Sequence, residues 1–144
     1  MFAMCYTDIM NETYRHSPTT VSLCNYHFVF CPRYRRKIFL LPGVEAFFKE
    51  RIEEECRLRS IRILAMECHI DHVHLFVNTP PTYSPADIMK WLKGATSLAL
   101  RKEFKELSAM PSTWTRSYFV STAGNVSSET IKHYVDSQKT RSWP

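Results

Sequence analysis

From Val21 to Phe30 the chain is dense in β-branched and aromatic residues and is bounded by threonine and proline, which predicts a strand. The period then changes. Phe47, Phe48, Ile52, Cys56 and Leu58, separated by Glu, Lys and Arg, recur at helical spacing from about Val44 to Arg59. Two short apolar runs follow, Ile61 to Glu67 and Val73 to Val77, and the intervening Cys68-His69-Ile70-Asp71 has the length of a hairpin connection. Pro80-Pro81 stops the second run. Ser84-Pro85 then opens a helix, with serine as its cap, proline at the first helical position and Asp87 in the first turn. Ile88, Met89, Leu92, Ala95, Leu98, Ala99 and Phe104 carry this helix to about Leu107, and Gly94 inside it marks a candidate point of close approach. Ser117 to Thr122 predicts a fourth strand, Ala123-Gly124-Asn125 a break, and Ser127 with Glu129 the start of a last helix reaching about Lys139.

The order βαββαβα predicts an α+β fold, an antiparallel sheet with helices on one face, in the split βαβ arrangement of ferredoxin-like and RRM-like domains. A length of 144 residues suits one domain, taken as residues 20–144. Residues 1–19 are polar and aperiodic and are expected to form a flexible N-terminal extension.

Composition narrows the class. A hydrophobic fraction of 44% allows a packed core, and no run approaches the ~20 apolar residues of a membrane span. A soluble, cytoplasmic protein with no membrane partner is expected. The five cysteines form no C-x-x-C pair, which argues against a zinc knuckle or a disulfide framework and for small buried hydrophobes in a reducing compartment. Lys and Arg number 19 against 14 Asp and Glu, for a net charge of +5 and a pI near 9.0. That balance permits a polyanionic partner without requiring one.

The candidate chemistry begins at Asp71-His72-Val73-His74. Residues two apart on a strand share a face, so Val73, Leu75 and Val77 can face the helices while His72 and His74 sit side by side on the other face. Such a pair can ligate one metal ion, or can be two half-exposed strand residues. Asp71 reads as a ligand, as an orienting partner for a histidine, or as a turn former. His27 and His69 read more simply as strand and loop histidines, and His133 as a solvated helix residue. On the last helix Thr130, Tyr134 and Gln138 are spaced i, i+4, i+8 on one face, and Gln138 is the one glutamine in the chain. Tyr134 reads either as a packing aromatic or as a nucleophile. A tyrosine hydroxyl has a reference pKa of about 10, so ionising it at neutral pH costs roughly 4 kcal/mol and calls for an activated electrophile. Arg33, Tyr34, Arg35, Arg36 and Lys37 form a basic loop with an aromatic among its cations, suited to phosphates and an unstacked base or simply to solvent. Lys90, Lys93, Arg101 and Lys102 add charge along the second long helix, while Trp91 and Trp114 read as packing residues.

Three segments together resemble the single-tyrosine HUH transposases of bacterial and archaeal insertion sequences. They are Tyr26 to Lys37, Asp71 to Leu75 with the strand before it, and Ser117 to Val120 followed by Ile131 to Gln138, in that family's order and spacing over about residues 20–140. The resemblance implies the HUH variant of the fold, with the C-terminal helix carrying the tyrosine. It makes His72 and His74 ligands of a divalent ion, Mg²⁺ or Mn²⁺, with Gln138 the third protein ligand and Tyr134 the nucleophile. It implies a metal-dependent DNA transposase that cleaves and rejoins single-stranded DNA through a 5′-phosphotyrosine, at sites next to a hairpin near each transposon end. It also implies a homodimer in which the tyrosine helix acts in trans across the link at Gly124. One departure stands out: this chain has His69-Ile70-Asp71 where the family commonly has Met-Pro-Asp. Three other readings compete: a non-catalytic module binding single-stranded nucleic acid, a metal-dependent hydrolase that uses water, and a domesticated relative acting on chromosomal palindromes.

Overall fold

A computed structural model describes residues 14–122, so the expected helix over 127–139, with Tyr134 and Gln138, and residues 1–13 lie outside the described residues. The elements are β1 (Cys24–Phe30), α1 (Val44–Leu58), β2 (Arg62–Cys68), β3 (Val73–Thr79), α2 (Pro85–Glu103), α3 (Lys105–Ser108) and β4 (Phe119–Ser121). Two single 3-10 turns, Arg33–Arg35 and Ile38–Leu40, link β1 to α1. The strands form one antiparallel sheet in the order β2-β3-β1-β4.

Local chemistry sets the ends of α1. It starts at Gly43, whose φ of 83° is a left-handed conformation that favours glycine. It ends where Ser60 (φ 59°) turns left-handed, its N–H donating to the Arg57 carbonyl and that of Ile61 to the Cys56 carbonyl. This double closure satisfies two orphan carbonyls and feeds buried Ile61 toward β2. The Ser84 hydroxyl caps α2 by accepting from the Asp87 N–H at 3.1 Å, as expected.

One face of the sheet carries the core. Phe28, Phe30, Val73, Leu75 and Val77 pack under Val44, Phe48, Ile52 and Cys56 of α1 and Ile88, Met89, Leu92 and Leu100 of α2. Both long helices therefore cover the same face, as the element order predicts. Trp114 seals the end of this core, with ring centroids 5.0 Å from Phe30 and 5.3 Å from Phe48, and its indole N–H donates to the Thr96 hydroxyl at 3.0 Å. Only 2% of Trp114 is exposed, so Trp114→Ala is expected to destabilise the fold by about 3–5 kcal/mol. Urea unfolding measures this, and a loss under about 1 kcal/mol would show that the pocket collapses around the missing ring.

Several sequence expectations change. The run from Val21 to Phe30 is broken at Leu23, and Val21–Ser22 instead pairs antiparallel with Arg15–His16. The Arg15 guanidinium donates to Asn78 Oδ1 at 2.7 Å and to the Ser60 carbonyl at 2.7 Å, so this part of the expected extension is tied to the sheet. The second long helix stops at Glu103, because Phe104 turns extended (φ −115°, ψ 117°) before the short α3. Gly94 marks no close approach, since a Cβ there meets open space. Lys93 turns inward, its ammonium donating to the Thr115 and Ser117 carbonyls at 2.7 and 3.1 Å, and burial pushes its pKa down to about 8. No described helix is long and apolar enough to cross a membrane.

Candidate metal centre

The two-residue period of β3 divides its side chains. Val73, Leu75 and Val77 point to the helices, and His74, Phe76 and Asn78 point to the opposite face. On that face β1 sets His27 beside Phe76 and Val29 beside His74. The His27 ring stacks on Phe76 at 4.0 Å and lies 3% exposed, with its Nε2 3.1 Å from His74 Nδ1.

The β2–β3 connection brings a further histidine to the pair. The His69 N–H donates to the His72 carbonyl at 2.8 Å, which closes the turn and sets the two side chains together. Ring centroids are 4.5 Å apart for His69–His72, 5.0 Å for His72–His74 and 5.1 Å for His69–His74. One ligand nitrogen from each of the three lies within 4.8 Å of the others.

Asp71 orients the cluster. Its Oδ1 is 2.9 Å from His72 Nδ1, and its Oδ2 accepts from Arg35 Nε at 3.0 Å and forms an ion pair with Arg35 Nη2. Burial pushes the Asp71 carboxyl up, but hydrogen bonds from His72 and Arg35 and the Arg35 charge outweigh it, leaving the pKa below its ordinary value. Burial lowers His72, against the opposing pull of Asp71. Burial also carries His74 down to about 4, helped by the neighbouring His72, His27 and His69. The imidazole of His74 is therefore neutral at pH 7, the form in which it can donate a lone pair to a metal. With Nδ1 of His72 held by Asp71 and Nδ1 of His74 held by His27, the Nε2 atoms are left as donors. A histidine oriented through its second nitrogen is the arrangement found around bound metals, so the donor set fits a divalent ion.

The basic loop divides. Its base is clamped by the Arg33 N–H donating to the Thr113 carbonyl and the Thr115 N–H donating to the Cys31 carbonyl. Arg35, grouped by sequence with the DNA-binding cations, is turned in toward Asp71 with its side chain 13% exposed; the desolvated carboxylate is the stronger local attraction. Tyr34 and Arg35 hold left-handed backbone (φ 61° and 51°), a strained conformation for non-glycine residues that commonly accompanies functional sites. Tyr34 stays exposed, with the Arg36 guanidinium 5.9 Å from its ring centre. Tyr34, Arg35 and Lys37 line, with His69, Ile70 and Asp71, an open cleft of about 580 Å³ beside the histidines.

The sequence singled out His72, His74 and Asp71, which the structure brings together, and it read His69 and His27 as plain loop and strand histidines, which the structure sets beside them. The closing geometry of a four-residue connection was the available signal for His69. His27 had none, because its partner lies 47 residues away.

Residues 20–138 match the sequence pattern of the family described as "Transposase IS200 like". The chain is 33% identical over 129 residues to the transposase for insertion sequence element IS200 of Salmonella typhimurium, covering 81% of this chain and 80% of that protein. It is 27% identical over 116 residues to the ISDra2 transposase TnpA of Deinococcus radiodurans, covering 78% and 82%. A crystal structure of a protein assigned as a Deinococcus radiodurans transposase superposes with a TM-score of 0.79 at 24% identity, over 86% of this chain and 97% of that one. A REP-associated tyrosine transposase bound to a REP hairpin superposes at 0.55 and 16% identity, over 85% and 68%. These two structural likenesses bear on the fold, and they agree with the α+β HUH arrangement. By the extent of the sequence match, this chain belongs to the IS200-like transposase family.

Proposed function

We propose that this transposase cuts and rejoins single-stranded DNA at insertion-sequence ends, with Tyr134 as nucleophile and a divalent ion, Mg²⁺ or Mn²⁺, held by His72, His74 and Gln138. The observation that carries the reading is the pair of imidazoles whose Nδ1 atoms are held by Asp71 and His27, set beside a basic cleft in a chain of this family. An ion in this site would polarise the scissile phosphate and stabilise charge on the departing oxygen. Tyr134 Oη attacks phosphorus, the Oη–P bond forming as the P–O3′ bond breaks, and the phenol proton ends on the released 3′ oxygen. A 3′ hydroxyl then attacks the 5′-phosphotyrosine, restores the phosphodiester and returns the proton to Tyr134.

The substrate is single-stranded DNA carrying a hairpin. Support comes from exposed Lys37 and Tyr34 at the cleft, from exposed Arg36 between them in sequence, and from the hairpin bound by the REP-associated tyrosine transposase. A homodimer, with the tyrosine helix acting in trans, completes the site in this reading. The test is incubation of the protein with a labelled single-stranded hairpin substrate and Mn²⁺, followed by denaturing electrophoresis. A covalent 5′-phosphotyrosyl adduct is expected. Tight binding without cleavage would instead identify a binding module.

Asp71 gives the metal site its own test. Asp71→Ala frees His72 to rotate and is expected to weaken Mn²⁺ binding by about 10–100-fold, measured calorimetrically. Unchanged affinity would reduce Asp71 to an anchor for Arg35.

A further inference from the structure

We propose that His69 is a third imidazole ligand, so that one hairpin of one subunit offers three nitrogen donors before the last helix supplies any. The inference rests on the metal-site reading above and assigns it a residue and a class of ion. Its first support is position. The turn closed by His69 N–H and the His72 carbonyl sets His69 on the same side as the pair, with one ligand nitrogen from each ring inside 4.8 Å of the others. Nitrogens bound about 2.1 Å from one ion stand roughly 3–3.4 Å apart, so small side-chain rotations close the set.

Its second support is the division of exposure within the cluster. His72 and His74 are half-buried, and Asp71 and His27 fix their ring planes. His69 is 48% exposed, with its ring stacked on that of His72. Its contact with Glu67, 3.4 Å from its Nε2, is an exposed pair of the kind worth little, so it does not hold the ring away from an ion. Two pre-oriented donors with one solvent-exposed donor suit an ion that must first bind and then admit a phosphate.

Its third support is donor chemistry. Mg²⁺ prefers oxygen ligands and gives up its waters reluctantly, whereas imidazoles suit first-row transition ions. Three imidazoles therefore select an ion such as Mn²⁺, Co²⁺ or Zn²⁺ over Mg²⁺. They also allow that ion to bind without Gln138.

The test uses the full chain without DNA, labelled with ¹⁵N-histidine and titrated with Zn²⁺. The imidazole nitrogens of His69, His72 and His74 are expected to shift together and saturate near one equivalent. By calorimetry His69→Ala should weaken binding at least about tenfold, His72→Ala should remove it, and Gln138→Ala should retain it. His69 lies exposed at a turn, so its alanine variant is expected to fold. Should His72 and His74 shift while His69 does not, and His69→Ala bind as the parent does, the third ligand is refuted and the pair stands. If none of the three shifts, the pair and the third ligand fail together.

Discussion

Replacing Tyr134 with phenylalanine is expected to abolish the covalent adduct and to slow cleavage of a labelled single-stranded hairpin by at least about 10³-fold. The change removes one oxygen and keeps the ring. Packing and helix propensity are therefore nearly unaltered, and the loss reads on the nucleophile itself. Metal affinity should be unchanged, since the phenol is not among the proposed ligands. The informative contrary result is cleavage at the parental rate with no adduct, which would make water the nucleophile and the chain a hydrolase.

His72→Ala is expected to remove metal binding and to lower cleavage by about 10²–10⁴-fold, corresponding to several kcal/mol of charge stabilisation at the phosphate. The fold should survive. His72 is not fully buried, and Asp71 keeps its ion pair with Arg35, so no buried charge is left unpaired. His74→Ala should be as damaging, and the double variant scarcely worse than either alone, because ligands of one ion act as a unit. Chelation of the parent protein should reproduce the same loss. A His72→Ala chain that still cuts at the parental rate would remove the ion from the reaction. Retained ion binding with lost cleavage would instead place His72 on the substrate.

Much of the fold was legible from local pattern. The strand alternation of Val73, Leu75 and Val77 against His74 depends on the pleat alone, and all three apolar residues are fully buried. The start of α2 at Ser84-Pro85 and the helical stripe of α1 were equally local, because caps and periodicity act within one or two turns. Helix ends and strand joints were less legible. Leu23 interrupts the expected first strand and Phe104 ends the expected second helix early, because neighbouring residue types leave several choices of joint open.

The site divides the same way. Sequence by itself determined that His72 and His74 share a face, that Asp71 adjoins them, that a basic loop follows the first strand and that Tyr134 and Gln138 are spaced to share a helical face. Tertiary structure decided which groups meet. The β-bulge between Ile63 and Ala65 shifts the register of β2 and sets Glu67, rather than Met66, opposite His74. Strand pairing carries His27 to His74 across 47 positions, and the turn after β1 carries Arg35 to Asp71 across 36. A chain encodes such meetings only through the sum of its core packing and strand register, since one extra residue in a strand sends every later side chain to the other face. Residue chemistry at His69, His27 and Arg35 was visible from the start; their partners were not, because contact between distant positions is a property of the folded register.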